Sequence, residues 1–441
     1  MGSASIWLLS GYGELMRPSR FMTLIVTPGI GVKRWLFIIV IAIFIIALGI
    51  SLLLLKLSQV NNLMPVIEQA DWSLIAFIII MGMVIISYAI FSLGRNLVKP
   101  YRIRQSGSVI DTVVEYSQRQ KGFKYVAIGG GTGLPASLRG MKNHTGKITA
   151  IVTVADDGGS SGRLRRDMGV LPPGDLRSNI AALADDNSLL TKLFQYRFQS
   201  GDLEGHSFGN LFIAALSSIV NKQGDTNSLA TALIEVSKVL NIRGRVLPAT
   251  LQEVNITAEI MLTGSSRSIK VLGESQIESV DGHIDRVEIT PVDVAAYDES
   301  VQAILDADII VVGPGSLYTS ILPNLLVKGI SDALKRTPAY KIYVCNVATQ
   351  PVETENYSVA DHIIALEKHT GRGIFHAVIA NNAYPQENAG DMTNYVSPIP
   401  ENHELLQRYQ VYYTDLTDTD RPWRHDTEKL CNAILRLTGQ K

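Results

Sequence analysis

Residues 125–136 read YVAIGGGTGLPA, and the fold of this chain turns on them. Tyr125–Ile128 is a short, continuous apolar run rich in β-formers. Gly129, Gly130, Gly131, Thr132 and Gly133 follow at once, and Leu134-Pro135-Ala136 opens a helical pattern. A strand that ends in glycines and enters a helix lets the backbone turn sharply and aims unpaired helix N–H groups at whatever lies above the turn. Gly131–Ala136 also fits the G-x-G-x-x-A dinucleotide fingerprint, a weak signal alone that the strand–turn–helix context strengthens.

Four more runs share the character of the first: ITAIVTV (148–154), DIIVVG (308–313), KIYVCNV (341–347) and FHAVIAN (375–381). They are continuous rather than alternating, as parallel strands covered on both faces should be. Helical patterns such as Val359–His369 lie between them. The alternation predicts an α/β fold, a Rossmann-like, doubly wound, mostly parallel sheet. Residues 254–290 differ: ITAEIML, SIKVLGESQI and HIDRVEIT alternate in polarity around Gly264, Gly273 and Gly282, which predicts an antiparallel β insertion.

Further glycine-rich turns follow these strands. Asp156-Asp157-Gly158-Gly159-Ser160-Ser161-Gly162 comes directly after the second run. An acid there suits a ribose hydroxyl in a dinucleotide enzyme, and paired aspartates suit Mg²⁺. Gly158–Gly162 also spells G-x-S-x-G, the nucleophile elbow of hydrolases. Two aspartates, however, separate the serine from the strand, and the sequence offers it no evident histidine. The third turn, Gly313-Pro314-Gly315-Ser316-Leu317-Tyr318, again joins glycines to a helix start. Leu171–Arg177, with Asp175, and Gly205–Leu211, with His206, Gly209 and Asn210, read equally as binding loops or plain connections. No G-x-x-x-x-G-K-[ST] occurs, which speaks against a P-loop nucleotidase. If the strands are parallel, the first three loops share the carboxyl edge of one sheet, where ligands of open α/β sheets bind. N–H nests for phosphates, carboxylates or Mg²⁺ beside them, and Ser160, Ser161 and Asn210 for sugar hydroxyls suit a ligand with phosphates and a sugar.

The amino-terminal quarter has another chemistry. Trp35–Leu55 and Trp72–Gly94 are uncharged and apolar. At ~1.5 Å per residue the first spans about 31 Å, the thickness of a hydrocarbon core. It is too long for the apolar part of a signal peptide and lacks a small-residue cleavage site. Arg17, Arg20, Lys33 and Arg34 precede the pair, Arg95, Lys99, Arg102 and Arg104 follow it, and only Lys56 lies between. The positive-inside rule then predicts a plasma-membrane protein with two spans, both termini and the main domain being cytoplasmic. The expected divisions are a segment 1–34, a hairpin 35–94, a polar helical linker over 95–121 and a cytosolic domain 122–441. Removing the two spans leaves a composition of ~42% hydrophobic residues, ordinary for a soluble domain, so the positive mean hydropathy of +0.16 is a local signal. The net charge of −1 gives no case for nucleic acid as a partner. Two cysteines make no disulfide framework, and Cys345 and Cys431 read as reduced core thiols. Gly82 and Gly94 are not G-x-x-x-G spaced, so no dimerisation motif marks the hairpin. A homo-oligomer and a membrane-protein partner both stay open.

Six blocks taken together resemble the gluconeogenesis-factor family (YvcK-like), which is related to the CofD-type 2-phospho-L-lactate transferases. They are IGGGTGLPASLRG (128–140), VTVADDGGSSGRLR (152–165), LPPGDLRSNIAALA (171–184), GHSFGNLFIAAL (205–216), GPGSLYTSILPNLLVKGI (313–330) and YVCNVATQPVETENYSVADHI (343–363). The resemblance implies a Rossmann-like domain that binds a nucleotide-linked ligand of the UDP-sugar class, with a role in cell shape, wall synthesis and growth on gluconeogenic carbon. It implies that Gly129, Gly130, Gly131, Thr132 and Gly133 hold phosphate. Gly209, Asn210, Gly313, Gly315, Ser316 and Tyr318 would complete the pocket. Asp156 and Asp157 would correspond to the pair that faces the second substrate or Mg²⁺ in the transferases. The hairpin departs from the soluble members of that family. Alternatives are a CofD-type transfer of a phospholactyl group to a deazaflavin and, on the fingerprint alone, an NAD(P) oxidoreductase.

Overall fold

The computed structural model describes residues 32–57, 71–102, 122–222, 227–265, 267–386 and 394–440. The chain divides into two compact units, Met1–Val114 and Glu115–Lys441. The segment 3–29 and the linker expected before the domain lie outside the described residues, apart from residues 95–102.

The first unit is a pair of helices, Val32–Leu57 and Trp72–Arg102. They run antiparallel: Trp35 meets Tyr88 edge-on at 5.7 Å, and the Lys56 ammonium lies 5.0 Å over the Trp72 ring at the other end. The residues facing the partner recur every seventh position, Trp35, Ala42 and Gly49 against Ile75, Gly82 and Ala89. A seven-residue repeat keeps one seam turned to a neighbour, and small residues in it let the backbones approach. A Cβ on Gly82 would sit 2.5 Å from Ile46 Cγ1. Phe37, Phe44, Phe77 and Phe91 point away from the seam and are exposed. Trp35–Leu57 and Trp72–Gly94 are long and apolar enough to cross a membrane, at the places the sequence suggests.

The second unit is built on a seven-stranded, wholly parallel sheet. Its strands are β1 (Tyr125–Gly129), β2 (Ile148–Val152) and β3 (Arg245–Pro248), then, after an insertion formed by β4 (Asn255–Leu262), β5 (Ser268–Leu272) and β6 (Gly282–Thr290), β7 (Ile309–Val312), β8 (Tyr340–Val344), β9 (Ala377–Asn381) and β10 (Gln410–Thr414). The sheet order is β10-β9-β8-β7-β1-β2-β3. Counting only the parallel strands, the chain winds outward from β1 to β3, then returns to β7 on the other side of β1 and winds outward again. This is the doubly wound order with its switch point between β1 and β7. Every residue of β1, β2, β7 and β9 is buried, as the continuous apolar runs require of strands with helices on both faces. The insertion is the expected antiparallel sheet, order β5-β4-β6, with alternating burial along β4.

Two strands were not legible in the pattern, β3 and β10. Both form edges of the sheet. β3 is four residues with an exposed Arg245 and a terminal proline, and β10 is only half-buried along its apolar positions. Edge strands need no continuous apolar run. Cys345 follows the last residue of β8, Cys431 lies in the helix Thr427–Thr438, and both are free and buried.

The antiparallel seam has a direct test. In membranes, a chain carrying Trp35→Cys and Tyr88→Cys should be joined within one molecule by a short bifunctional thiol reagent, because the native cysteines are buried. Phe37→Cys with Tyr88→Cys should not be. Equal yields for the two pairs would rule out this seam.

Candidate functional site

Parallel pairing in register brings the ends of the central strands level. Gly129 pairs with Val152, and Ile128 with Val312. The loops after β1, β2 and β7 therefore open on one edge, with those after β1 and β7 flanking the switch point.

The loop after β1 is held from several sides. Gly131 has φ +65°, a left-handed conformation that suits glycine, and its N–H donates to Asp175 Oδ2 at 2.5 Å. Asp175 stands in the first turn of the helix Gly174–Leu183. The far end of that helix is anchored by the buried Lys142, which donates to the carbonyls of Ala182 and Ala184 at 3.0 and 2.7 Å, a cation at a helix C-terminus. Asn324 donates to the Gly129 carbonyl at 2.9 Å and to that of Ser320 at 2.7 Å, tying the β1 turn to the π-helical turn Leu317–Ile321 after β7. Thr132 is exposed.

The loop after β7 is clamped by the segment after β8. Asn346 accepts from the Gly315 N–H at 3.1 Å and donates to its carbonyl at 2.9 Å, and Gln350 donates to Ser316 Oγ at 2.7 Å. Glu353, 2% exposed, accepts from the Tyr318 N–H at 3.3 Å and from Thr319 Oγ1 at 2.9 Å. Tyr318 itself is 2% exposed and spends its hydroxyl on Tyr357 at 2.8 Å. It braces the turn from inside.

The aspartate pair divides its work. Asp156 Oδ1 accepts from the Gly158 N–H at 2.8 Å, and its carboxylate also bonds Ser161. Asp157 turns the other way and takes the Ser275 N–H at 2.9 Å, capping the short helix Glu274–Ile277 of the insertion. The same insertion is fastened to the helix Gly159–Met168 by Arg165, which donates to Glu253, to the Val254 carbonyl and to Asn255. Ser160 lies in the first turn of that helix rather than at a strand-end elbow. Its hydroxyl is 3.0 Å from His206 Nδ1 and accepts from Asn210 Nδ2 at 3.1 Å. The fold thus supplies Ser160 with the histidine that the sequence left unassigned, and Asn210 is the second partner in that network.

The floor of the crevice is acidic. Burial raises the Asp156 carboxyl, with the Gly158 N–H and Ser161 pulling back and Asp157 adding repulsion. Burial takes Asp175 up to about 6 despite the Gly131 N–H, and Asp156 pushes the same way. Glu353 is raised to about 7 by burial, against its bonds to Thr319 and Tyr318. Glu274, brought in by the insertion, is raised to about 9 by burial and then by the charges of Asp156, Asp175 and Glu353. Among the described residues, no three His, Cys, Asp or Glu are grouped to hold a metal ion. Mg²⁺ commonly takes only one or two protein carboxylates, with waters and substrate phosphates completing its shell. Asp156 and Asp175 interact through their charges, and Asp157, which also acts on Asp156, has its carboxylate on the Ser275 N–H.

Glu274, Glu353, Asn346, Gln350 and Asn324 did not stand out in the sequence. Asn346, Gln350 and Glu353 lie in the block NVATQPVET, where each third or fourth residue is polar, and that spacing is the one local signal for them.

The chain belongs to the CofD family. The model of the family described as 2-phospho-L-lactate transferase CofD matches residues 125–428. Among its relatives is the Bacillus subtilis gluconeogenesis factor, 43% identical over 326 residues, which cover 71% of this chain and 98% of that one. A Nostoc sp. protein, given the same name provisionally, is 40% identical over 435 residues, 94% of this chain and 92% of its own. The unmatched 6% is shorter than the helical hairpin, so that likeness reaches into the first unit, whereas the Bacillus relative is almost used up by the second. A crystal structure of a UPF0052-family protein from Bacillus halodurans superposes with a TM-score of 0.65 at 42% identity, covering 70% of this chain and 99% of that one.

The acidic floor sets a pH dependence. A carboxyl whose folded pKa lies above its unfolded value keeps its proton in the folded state while the unfolded chain loses it, so stability falls as pH rises between the two values. For Glu274 that window runs from its ordinary range, near 4.5, to about 9. Glu274→Gln should therefore raise the melting temperature at pH 8 and leave it unchanged near pH 4, read by circular dichroism across that range. A pH-independent difference would contradict the assignment.

Proposed function

We propose that this protein binds a nucleotide-sugar of the UDP-sugar class in the crevice at the β1/β7 switch point. In this reading it acts from a membrane tether as a regulator of cell shape, wall synthesis or carbon metabolism. The observation that carries the reading is the convergence of the loops after β1, β2 and β7 on one edge of a doubly wound sheet, where nucleotides bind in such folds. The names of the relatives at 40–43% identity support the regulatory side. The tether reading rests on the two apolar helices and on the basic residues flanking them, with both termini and the domain on the cytoplasmic side.

A second reading is favoured by the coupled carboxylates Asp156 and Asp175 and by the matching family model. It is transfer of a phospholactyl group from a nucleotide diphosphate to a deazaflavin. Bound Mg²⁺ would supply charge neutralisation for the phosphates. This chain's Asp156 and Asp175 would hold the ion, and Gly131 and Asn324 would fix the loop that faces it.

Calorimetry separates the readings. The full-length chain in detergent should bind a UDP-sugar, and Gly131→Val, which puts a branched side chain at φ +65° with its Cβ 2.8 Å from Ser320 Oγ, should weaken it ~10-fold or more. No binding of any uridine nucleotide would remove the first reading. Turnover of a deazaflavin acceptor that Asp175→Asn abolishes would establish the second.

A further inference from the structure

Beside the acidic floor, on the β2 side of the same edge, the charge reverses. The turn and helix start at residues 204–210 collect three guanidinium groups. Arg163 donates Nη2 to the Glu204 carbonyl at 2.8 Å, and Arg197 donates Nη1 to the Gly205 carbonyl. Arg177 passes so close to Gly209 that a Cβ there would sit 2.9 Å from its Cδ. Among the described residues, none of the three forms an ion pair with a carboxylate. The Nε–H donors of Arg163 and Arg177 are buried without a hydrogen-bond partner. The helix Phe208–Lys222 begins at the same turn, so its positive end adds to the field. Leaving buried donors unmatched costs free energy that an acceptor brought by a ligand would recover.

The glycine loop after β1 offers the opposite environment. The Gly131 N–H is already taken by the Asp175 carboxylate, and Asp156, Glu274 and Glu353 share the space electrostatically. A bare phosphate there meets like charge.

We propose that the phosphoryl part of the ligand docks on Arg163, Arg177 and Arg197 at the 204–210 turn, and that the acidic floor faces the neutral, hydroxyl-bearing part. The identity of the whole ligand rests on the nucleotide-sugar reading, but the phosphoryl site does not. Arginine forks suit phosphoryl oxygens by shape as well as by charge. Ser160 and His206, bonded to each other at 3.0 Å between the two regions, mark the boundary.

The test is calorimetry on the full-length chain in detergent with inorganic pyrophosphate, UDP and uridine as probes. Pyrophosphate and UDP should bind, more weakly at higher salt. Arg177→Gln and Arg197→Gln should each weaken both ~10-fold or more, while Arg336→Gln, at the exposed end of the helix Lys328–Arg336, changes pyrophosphate affinity less than about twofold. Arg197 is exposed, so Arg197→Gln should fold normally and decides the matter if Arg177→Gln melts early. Wild-type pyrophosphate affinity in the arginine variants overturns the proposal, as does the absence of pyrophosphate binding altogether. Arginine-dependent pyrophosphate binding without any UDP or UDP-sugar binding sustains this site and removes the nucleotide reading. UDP binding that survives the arginine variants but not Gly131→Val does the reverse.

Discussion

The Asp175 carboxylate on the Gly131 N–H is the contact on which the character of the site depends. It fastens the glycine turn after β1 to the helix Gly174–Leu183, 44 residues further along. It also places a negative charge where comparable folds leave room for phosphate. A helix N-terminus and a glycine turn normally make an anion hole. Here the protein fills that hole with its own acid and surrounds it with three more, Asp156, Glu274 and Glu353. The motif is preserved in sequence while its electrostatics are inverted.

That inversion explains the architecture around it. The insertion β4–β6 lies outside the parallel sheet, yet Asp157 caps its short helix and Arg165 ties its base, so that Glu274 is held over the crevice. Glu353 arrives from beyond β8 and holds the π-helical turn through Tyr318 and Thr319. Each acid has a local structural partner except Glu274, whose causes of shift are burial and the other acids alone. Acids buried together disfavour one another's ionisation, and the domain sustains them because their neighbours are fixed by bonds that do not depend on charge, such as Asn346 on Gly315 and Asn324 on Gly129.

The fold was legible where burial is two-sided. YVAIGG, ITAIVTV, DIIVVG, KIYVCNV and FHAVIAN all became central or inner strands, because a strand covered on both faces must be apolar at every position. β3 and β10 were not, because an edge strand carries no such demand. The insertion was read from alternation and turn glycines alone. The site was legible in its loops and hardly at all in its partnerships. Gly131 and Asp175 are each visible, but nothing local says that they bond, and the same holds for Ser160 with His206. Tyr318 read as a pocket residue and lies 2% exposed with its hydroxyl on Tyr357. The seven-residue seam of the hairpin is invisible to the G-x-x-x-G motif, whose four-residue spacing serves right-handed crossings, whereas Ala42, Gly49, Gly82 and Ala89 follow the heptad of a left-handed pair.

A crevice with an acidic floor and a basic rim constrains the order in which its groups are satisfied. Coulomb interactions between partly buried charges are only weakly screened, so the rim guanidiniums and the floor carboxylates stabilise one another at a distance even without touching. Burial and Arg197 lower Arg177, while Asp175 counteracts them. A ligand that neutralised only the rim would remove that compensation and push the floor acids further toward their protonated forms, whereas a cation on the floor would strengthen the hold of the rim on its anion. Binding of an anion and of a cation or proton at this edge is therefore positively coupled by charge alone, with no conformational change required. A ligand matched to such a site arrives as a phosphoryl anion and sets its neutral hydroxyls over acids that have kept a proton or share a bound cation.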